Sequence, residues 1–537
     1  MAFKRLGIML DMSRNAVMHV PALKQFIVEL SDMGYNTLLL YTEDTYEIPG
    51  EPYFGHFRGR YSQAELKEIV DFAEAHGVEM IPCIQTLAHL NTMFRWKVYQ
   101  SVRDCNDILL AEEDKTYELI GKMLDSAKEC FRSPYIHIGM DEAHMVGLGK
   151  YLDKHGFQER FGILSRHLEK VCQMVAERGL KPIIWGDMYF RLKNHGVYCK
   201  TTGLEIPTVE EVAIPQDVTL TYWDYYSTEE ARYQNMIHAH KQLERPVWFA
   251  GGIWTWTGFA PDNQFSLSSS LSAVRTCQAE GIENIFFTMW GDDGGECARH
   301  SVLASLYAVA CFARGQQDMD AIKAAFEAKY QIPFDAFLQL DMHPERPFVN
   351  ASDAVVNPER YLLFNDPFLG IFDCTLTGEE AAYYTALAQI LSGYAGHTQY
   401  GIYFHSLSLL AKVLIRKSDL GQRTRDLYSC GDRDGIRQLV EEYAICTQDI
   451  ADFLRAFRVT WMAENKPFGF EVQDLRIGGL IQRMNACRER LEAWLEDGEP
   501  IPELETPALE HKGGATTFTK QPTRYTTWRQ TASVNIV

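Results

Sequence analysis

The stretch YIHIGMDE, from Tyr135 to Glu142, decides the fold because the first 315 residues contain eight stretches of this kind. Each is a run of mostly apolar residues that ends in or just before a polar or acidic residue or a glycine, and a helical pattern follows. Continuous apolar runs are typical of strands buried on both faces of a parallel sheet. The eight stretches are Arg5–Asp11, Tyr35–Thr42, Val78–Gln85, Tyr135–Glu142, Lys181–Asp187, Val218–Asp224, Pro246–Gly252 and Asn284–Asp292.

The segments between these stretches carry helix start and stop signals. Ser62 followed by Glu65 forms a capping box, and Gly77 supplies a stop before the next strand. Eight strands that alternate with helices over about 300 residues predict a (β/α)8 barrel. An open, doubly wound sheet is the alternative, but it favours a glycine-rich first turn, which the segment LDMSRNAV lacks.

The strand pattern ends near Gly315, and the sequence that follows has mostly the apolar spacing of helices. We therefore predict an α/β fold with three parts: a catalytic (β/α)8 barrel over residues 1–315, a mainly α-helical C-terminal domain over 316–500, and an extended tail over 501–537. The tail is rich in Thr, Pro and Glu.

Composition excludes several classes of protein. Of the 537 residues, 46% are hydrophobic and 23% are charged, as in a soluble globular protein, and the net charge of −20 argues against a nucleic-acid partner. The apolar stretch before Asp11 is shorter than the roughly 7–15 residues of a signal-peptide core, and no run approaches the ~20 residues of a membrane span. The 12 Cys show no metal-type pairs. Because the sequence shows no export signal, we predict reduced thiols rather than disulfides, and a cytoplasmic location.

Side chains at the carboxyl ends of barrel strands converge on one mouth. The predicted ends carry acids, aromatic rings, one Arg and one His but few Lys. Sugar rings stack on such aromatic faces, and their hydroxyls bond to carboxylates and guanidinium groups. The strand-end residues are Asp11, Arg14, Glu43, Asp44, Gln85, His89, Asp141, Glu142, Trp185, Asp187, Tyr222, Asp224, Trp254, Trp256, Trp290, Asp292 and Glu296.

The adjacent acids Asp141 and Glu142 suggest a particular mechanism. Two carboxylates in one closed pocket repel each other, so one is held protonated and can act as a general acid. Most glycosidases place their second acid across the sugar ring, ~5–9.5 Å away, which sequence neighbours are poorly placed to do. They suit a substrate that brings its own nucleophile, such as a 2-acetamido oxygen.

Other interpretations of these acids stay open. They could simply cap a helix. Asp141–His144 spells the Asp-Glu-Ala-His tetrapeptide of helicases, but the required phosphate loop is missing. A metal-dependent barrel hydrolase typically has two His one residue apart after strand one, and His137, Asp141 and His144 would share a metal only if the strand bent sharply. A non-catalytic carbohydrate-binding barrel is the third alternative, although the presence of both acids argues against it.

The sequence also resembles glycoside hydrolase family 20, the β-N-acetylhexosaminidases, whose mark is His-Ile/Val-Gly-Gly-Asp-Glu. HIGMDE (His137–Glu142) matches except that Met140 replaces the second glycine. PCIQTLAH (Pro82–His89) is similar to Pro-Glu-Ile-Asp-Met-Pro-Gly-His, with Gln85 in place of an Asp. WGDMY at Trp185 and YWD at Tyr222 correspond in order to the strand-five Trp and the Tyr-x-Asp of the family.

The resemblance implies a role for each matching residue. Glu142 would be the general acid and base, Asp141 would position the acetamido group, and Tyr222 would bond to its oxygen. The remaining residues would bind the sugar: Trp185 and Trp254, together with Trp256 or Trp290, as an aromatic cage, Arg14 on the distal hydroxyls, Asp224 or Glu296 on the 4- or 6-hydroxyl, and His89 and Asp292 at the mouth.

The resemblance also implies the activity. We expect an exo-acting β-N-acetylhexosaminidase of the intracellular bacterial type that lacks an N-terminal α/β domain, with no metal and no cofactor. Its partner would be a small glycan with a terminal β-linked N-acetylhexosamine, not a nucleic acid or a membrane. The long apolar helices after Gly378 are compatible with a homodimer. The choice between GlcNAc and GalNAc, the linkage, the role of the C-terminal domain and the strand-eight acid that contacts the sugar stay open.

Overall fold

The computed structural model describes residues 3–199, 202–343, 357–507 and 527–537. The chain divides into two compact units. The first comprises Met1–Ile253, Ser266–Trp290 and Ser305–Gln317, and the second comprises Trp254–Phe265, Gly291–Ala304 and Asp318–Val537. The main division lies close to the expected boundary at residue 315, but two segments that follow the last two strands also group with the second unit.

The first unit contains a closed barrel of eight parallel strands, each paired with its neighbours in sequence order and β8 with β1. The predicted (β/α)8 architecture is therefore confirmed. The strands are β1 (Arg5–Asp11), β2 (Thr37–Tyr41), β3 (Glu79–Cys83), β4 (Tyr135–His137), β5 (Lys181–Trp185), β6 (Thr219–Trp223), β7 (Val247–Gly252) and β8 (Asn284–Met289).

The strands are buried on both faces, as their continuous apolar runs predict. One set of alternate residues forms the interior cluster, which includes Leu39, Ile81, Ile183, Ala250 and Phe286. Because successive side chains of a strand point to opposite faces, this cluster identifies which parity of each strand points inward.

Helices follow the strands, and their ends match the sequence signals. Ser62 and Glu65 make both hydrogen bonds of a capping box, and Gly34 ends the first helix in the left-handed conformation. The helices are α1 (Val20–Met33), α2 (Gln63–Ala75), α3 (Asp114–Cys130), α4 (Lys150–His155), α5 (Arg160–Glu177), α6 (Asp187–Lys193), α7 (Val209–Val212), α8 (Glu230–Lys241), α9 (Asn263–Ala279) and α10 (Leu303–Ala313).

The second unit is mainly helical, as predicted. Its long helices pack against their neighbours in sequence. The helices are α11 (Met319–Tyr330), α12 (Phe334–Leu338), α13 (Pro358–Phe364), α14 (Glu380–Tyr394), α15 (Gly401–Ser429), α16 (Arg433–Glu464), α17 (Phe470–Asp497), α18 (Pro502–Glu505) and α19 (Trp528–Ala532).

The expected extended tail over 501–537 needs correction, because Pro502–Glu505 and Trp528–Ala532 are short helices. Residues 508–526 lie outside the described residues.

All 12 cysteines are free thiols, in agreement with the prediction. Among the described helices, none has the length and apolar character needed to cross a bilayer.

Candidate active site

The two acids lie on a sharp turn beyond the end of β4. Gly139, Met140 and Glu142 have φ angles of 74°, 72° and 50°, which is the left-handed region. A Cβ atom on Gly139 would lie 2.0 Å from Gln85 Oε1, so only glycine fits there. This turn replaces the simple strand end that the sequence predicted.

Met140 is a non-glycine residue at a position that favours glycine. The motif His-Ile/Val-Gly-Gly-Asp-Glu, which this stretch resembles, has a glycine at this position. The left-handed backbone of Met140 explains that glycine, since a Cβ in this conformation costs about 1–2 kcal/mol. The Met140 side chain is buried, so the burial of its apolar surface offsets this cost.

We expect Met140→Gly to be more stable than Met140→Ala by about 1 kcal/mol, the reverse of the usual order of Ala and Gly. Both variants lose the buried side chain, but only glycine also loses the backbone strain. Thermal and urea unfolding of the two variants measure the difference. If the alanine variant were the more stable one, the left-handed conformation of this residue would be refuted.

Asp141 is held from two sides by polar groups. Gln85 Nε2 donates to Asp141 Oδ1 at 2.8 Å, and His89 Nε2 lies 3.2 Å from Asp141 Oδ2. Burial alone would raise the pKa of Asp141, but the His89 charge and the Gln85 hydrogen bond outweigh it and lower this pKa. Burial disfavours the charged form of His89, yet the Asp141 and Glu43 carboxylates raise its pKa to about 10. Asp141 is therefore an anion beside a cationic His89.

Glu142 is more exposed than Asp141 and has a different partner. Arg191 Nη2 donates to Glu142 Oε1 at 3.1 Å, and Arg191 Nε donates to Asp187 Oδ2 at 2.8 Å. The backbone N–H of Glu142 also donates to Asp187 Oδ2. Burial raises the pKa of Asp187 to about 7, although Arg191 opposes this shift. Asp187 thus anchors both Glu142 and the guanidinium that contacts it.

Arg14 is fixed at the rim by two acids. Its Nη1 lies 3.1 Å from Asp11 Oδ2, and its Nη2 lies 3.1 Å from Glu43 Oε1. Burial raises the pKa of Glu43, and Arg14 counteracts this. Tyr41 donates to Glu43 Oε1 and accepts from Gln85 Nε2. One hydrogen-bonded chain therefore joins Arg14 to Asp141.

Aromatic rings surround the acids in the first unit. Trp290 lies 4.7 Å from Tyr41 and 6.2 Å from Trp185, measured between ring centroids. Tyr225 stacks on Trp223 at 5.2 Å, and its hydroxyl hydrogen-bonds with Trp290 and Thr288. Such rings can enclose the methyl group of an acetamide and stack on a sugar face.

Tyr222 does not lie in this pocket, which corrects the role expected for it. It lies on the outer face of β6, where its ring packs on His240 of α8 and on Phe249. Its hydroxyl donates to Asp224, which also forms an ion pair with Arg232. Trp223, between them, packs against the interior cluster, so Tyr222 and Asp224 point away from the interior. The carboxylate of Asp224 already binds Tyr222 and Arg232.

The four remaining expected residues belong to the second unit. Trp254 and Trp256 stack with their centroids 4.6 Å apart. Asp292 is exposed, whereas Glu296 is buried in ion pairs with Arg360 and Arg476. Two arginines therefore occupy the Glu296 carboxylate, which leaves it poorly suited to bind a sugar hydroxyl.

The described residues contain one group with the composition of a metal site. Asp262, Asp341 and His343 are buried in the second unit, with candidate ligand atoms within 4.8 Å of one another. The two aspartates also accept backbone N–H bonds at the start of α9.

His137 is the last residue of β4 and lies shortly before the acid pair. Burial lowers the pKa of His137 to about 3, so its ring is neutral.

Sequence reasoning missed two residues of the pocket and the role of a third. Tyr225 follows YWD directly, and correct strand parity would have identified it. Arg191 lies one helical turn after Asp187, a spacing typical of an ion pair. Gln85 was placed at the mouth as a strand-end residue and treated as a departure from a motif, but its hydrogen bond to Asp141 was not predicted.

Comparisons with known proteins relate the chain to one enzyme family. Residues 3–243 match the family model described as glycosyl hydrolase family 20, catalytic domain, and residues 335–520 match the glycoside hydrolase 20C C-terminal domain. Hexosaminidase D of Bos taurus is 23% identical over 257 residues, which cover 45% of this chain and 68% of that protein. Hexosaminidase D of Homo sapiens is 26% identical over 202 residues, 36% of this chain and 39% of that protein.

A solved structure, the β-N-acetylhexosaminidase from Bacteroides fragilis, aligns with a TM-score of 0.45 at 20% identity and covers 61% of this chain and 70% of that one.

Proposed function

The chain belongs to glycoside hydrolase family 20, and from this premise we propose that it is an exo-acting β-N-acetylhexosaminidase that releases terminal β-linked GlcNAc or GalNAc. The observation that carries the proposal is the pair of neighbouring acids with different environments. Asp141 is a buried anion held by Gln85 and His89. The Glu142 side chain, in contrast, is partly exposed to solvent and contacts Arg191.

The proposed reaction retains configuration at the anomeric carbon. Glu142 donates a proton to the glycosidic oxygen while the acetamido oxygen of the substrate attacks C1, and the leaving sugar departs as an alcohol. Asp141 accepts a hydrogen bond from the acetamido N–H and stabilises the positive charge of the resulting oxazolinium ion. Glu142, now ionised, takes a proton from water as the water opens the ring at C1.

Arg191 is suited to position the proton donor of this cycle. Its guanidinium contacts Glu142 and is anchored by Asp187, so it can hold the Glu142 carboxyl in place. The substrate acetamide would lie among Trp185, Trp290 and Tyr225. The sugar contacts expected from Trp254, Trp256 and Asp292 stay predictions.

We propose that Tyr225 takes the role expected for Tyr222. Tyr225→Phe should lower kcat/KM for aryl β-GlcNAc about 10- to 100-fold, because the hydroxyl that would hold the acetamido oxygen in line with C1 is lost. The matched variant Tyr222→Phe, on the outer face of the barrel, should stay within a few fold of the parent enzyme. A larger loss in Tyr222→Phe than in Tyr225→Phe would contradict this assignment.

His89→Asn should move the acidic limb of the kcat/KM profile to higher pH by about 1–2 units. His89⁺ lowers the pKa of Asp141, and burial raises it. Removing the cation leaves burial unopposed, so Asp141 becomes protonated at a higher pH. Asn suits this position because it tolerates the left-handed backbone of His89, φ 58°. His76→Asn, an exposed residue at the C-terminal end of α2, is the control. An unmoved limb in His89→Asn would refute the coupling.

The function is tested by parallel hydrolysis of aryl β-GlcNAc, β-GalNAc and β-glucose. We expect cleavage of the acetamido sugars alone and tight binding of a thiazoline that mimics the oxazoline. Cleavage of the plain glucoside at the same rate would refute acetamido participation. Activity lost in EDTA and restored by zinc would favour a metal-dependent hydrolase, and binding without hydrolysis would favour a carbohydrate-binding barrel.

We further propose a cytoplasmic location, to which the free thiols lend support. A homodimer is proposed from the long helices of the second unit, and light scattering of the purified chain tests it.

A further inference from the structure

Four aromatic side chains, two exposed and two half-buried, lie on the loops that follow β2 and β3. We call Tyr53, His56, Phe57 and Trp96 the aromatic platform. Ring centroids of Trp96 lie 5.3 Å from Tyr53 and 5.5 Å from His56, and those of His56 and Phe57 lie 3.9 Å apart. Phe57 is 71% exposed and Tyr53 44% exposed, so the platform presents apolar ring faces to solvent.

Folding of the barrel does not account for Phe57. Its φ of 62° is in the left-handed region, which is unfavourable for a bulky side chain. Because the Phe57 side chain is exposed, burial of its apolar surface offsets little of the cost of this backbone conformation. An exposed aromatic residue in a strained conformation points to a function, since such strain concentrates at ligand sites.

The loop that carries the platform is fixed to the active site. Gly55 packs so closely on the backbone of Asp44 that a Cβ would lie 2.0 Å from the Asp44 carbonyl oxygen. Arg58 donates to Asp44 Oδ1, to Asn15 Oδ1 at 3.0 Å and to the Ser13 carbonyl. These partners adjoin the rim residues Glu43 and Arg14 in sequence.

We propose that the aromatic platform binds the sugar ring on the leaving-group side of the scissile bond. This inference rests on the proposed function, because an exo-acting enzyme must leave the rest of the glycan outside the pocket. The platform lies at the mouth end of the barrel, and aromatic and imidazole faces suit the C–H faces of a sugar. None of its four side chains is a carboxylate, a lysine or an arginine, which favours a neutral sugar or N-acetylated sugar as its ligand.

The experiment compares two kinds of substrate. Disaccharides with GlcNAc linked β1–4 to GlcNAc, β1–3 to galactose or β1–6 to galactose can reach the platform, whereas β-GlcNAc fluoride cannot. For Phe57→Ala and Trp96→Ala, we expect the ratio of kcat/KM for the best disaccharide to that for the fluoride to fall about 10-fold. Phe57→Tyr should keep the parent ratio.

Phe72→Ala is the matched control. Phe72 also stacks on a histidine, His76, with centroids 4.2 Å apart, but it lies near the end of α2, at the opposite end of the barrel. It should leave the ratio unchanged. Since Phe57 is exposed, Phe57→Ala should also keep the parent melting temperature.

Each other outcome has a definite meaning. An unchanged ratio in both platform variants, or no cleavage of any of the disaccharides by an enzyme that cleaves the fluoride, would overturn the inference. An unchanged ratio with conversion of a dimer to a monomer would assign the platform to contact with a second copy of this chain. Failure to cleave the fluoride or any aryl acetamido sugar would instead refute the proposed function.

Discussion

Glu142→Gln is expected to lower kcat for aryl β-GlcNAc by about 10³-fold or more, because one group supplies both the acid and the base of the reaction. The glutamine amide keeps the size of the side chain and the contact with Arg191, but its N–H is far too weak an acid to protonate the glycosidic oxygen. Steady-state kinetics across leaving groups measure the effect. The loss should be smallest for the fluoride, whose departure needs the least protonation.

The control for this variant is Glu74→Gln, an exposed residue near the end of α2. It should retain parent activity. Equal losses for good and poor leaving groups in Glu142→Gln would show that Glu142 does not act as the proton donor, even if the variant were inactive.

Asp141→Asn is expected to lower kcat/KM for acetamido substrates by about 10²- to 10³-fold, because a neutral amide does not stabilise the oxazolinium charge. His89 and Gln85 would then face a neutral group, and the positive charge of His89 would lose its partner. The predicted signature is a matching loss of affinity for the thiazoline inhibitor, with a much smaller change for the uncharged product GlcNAc. Calorimetric titration of both ligands measures this difference.

If Asp141→Asn weakened thiazoline and GlcNAc equally, Asp141 would be a general sugar contact rather than a charge stabiliser. Asp71→Asn, an exposed residue of α2, is the control and should bind both ligands as the parent does.

Some of the site could be predicted from the sequence because it depends on order and composition. The eight apolar runs indicated eight barrel strands, and barrel geometry brings their carboxyl ends together. Arg14, His89, Trp185 and Trp290 accordingly lie around Asp141 in the first unit. Motif spacing also identified the acid pair itself.

The parity of the strands was not available from the sequence. Strands buried on both faces show no alternation of apolar and polar residues, so nothing in YWD indicates which side chain points inward. The structure places Trp223 and Tyr225 on the inner side and Tyr222 and Asp224 on the outer side. A shift of one residue therefore separated the expected tyrosine from the one in the pocket.

The sequence by itself determined the strand order, the barrel and the positions of Asp141 and Glu142. Only the tertiary structure decided the charge of Asp141 and the directions and partners of both side chains. The left-handed turn at Gly139 and Met140 redirects the chain, Gln85 and His89 stabilise one carboxylate as an anion, and Arg191 contacts the other. The physical reason is that burial and neighbouring charges, which set the properties of a carboxylate, come from residues distant in sequence.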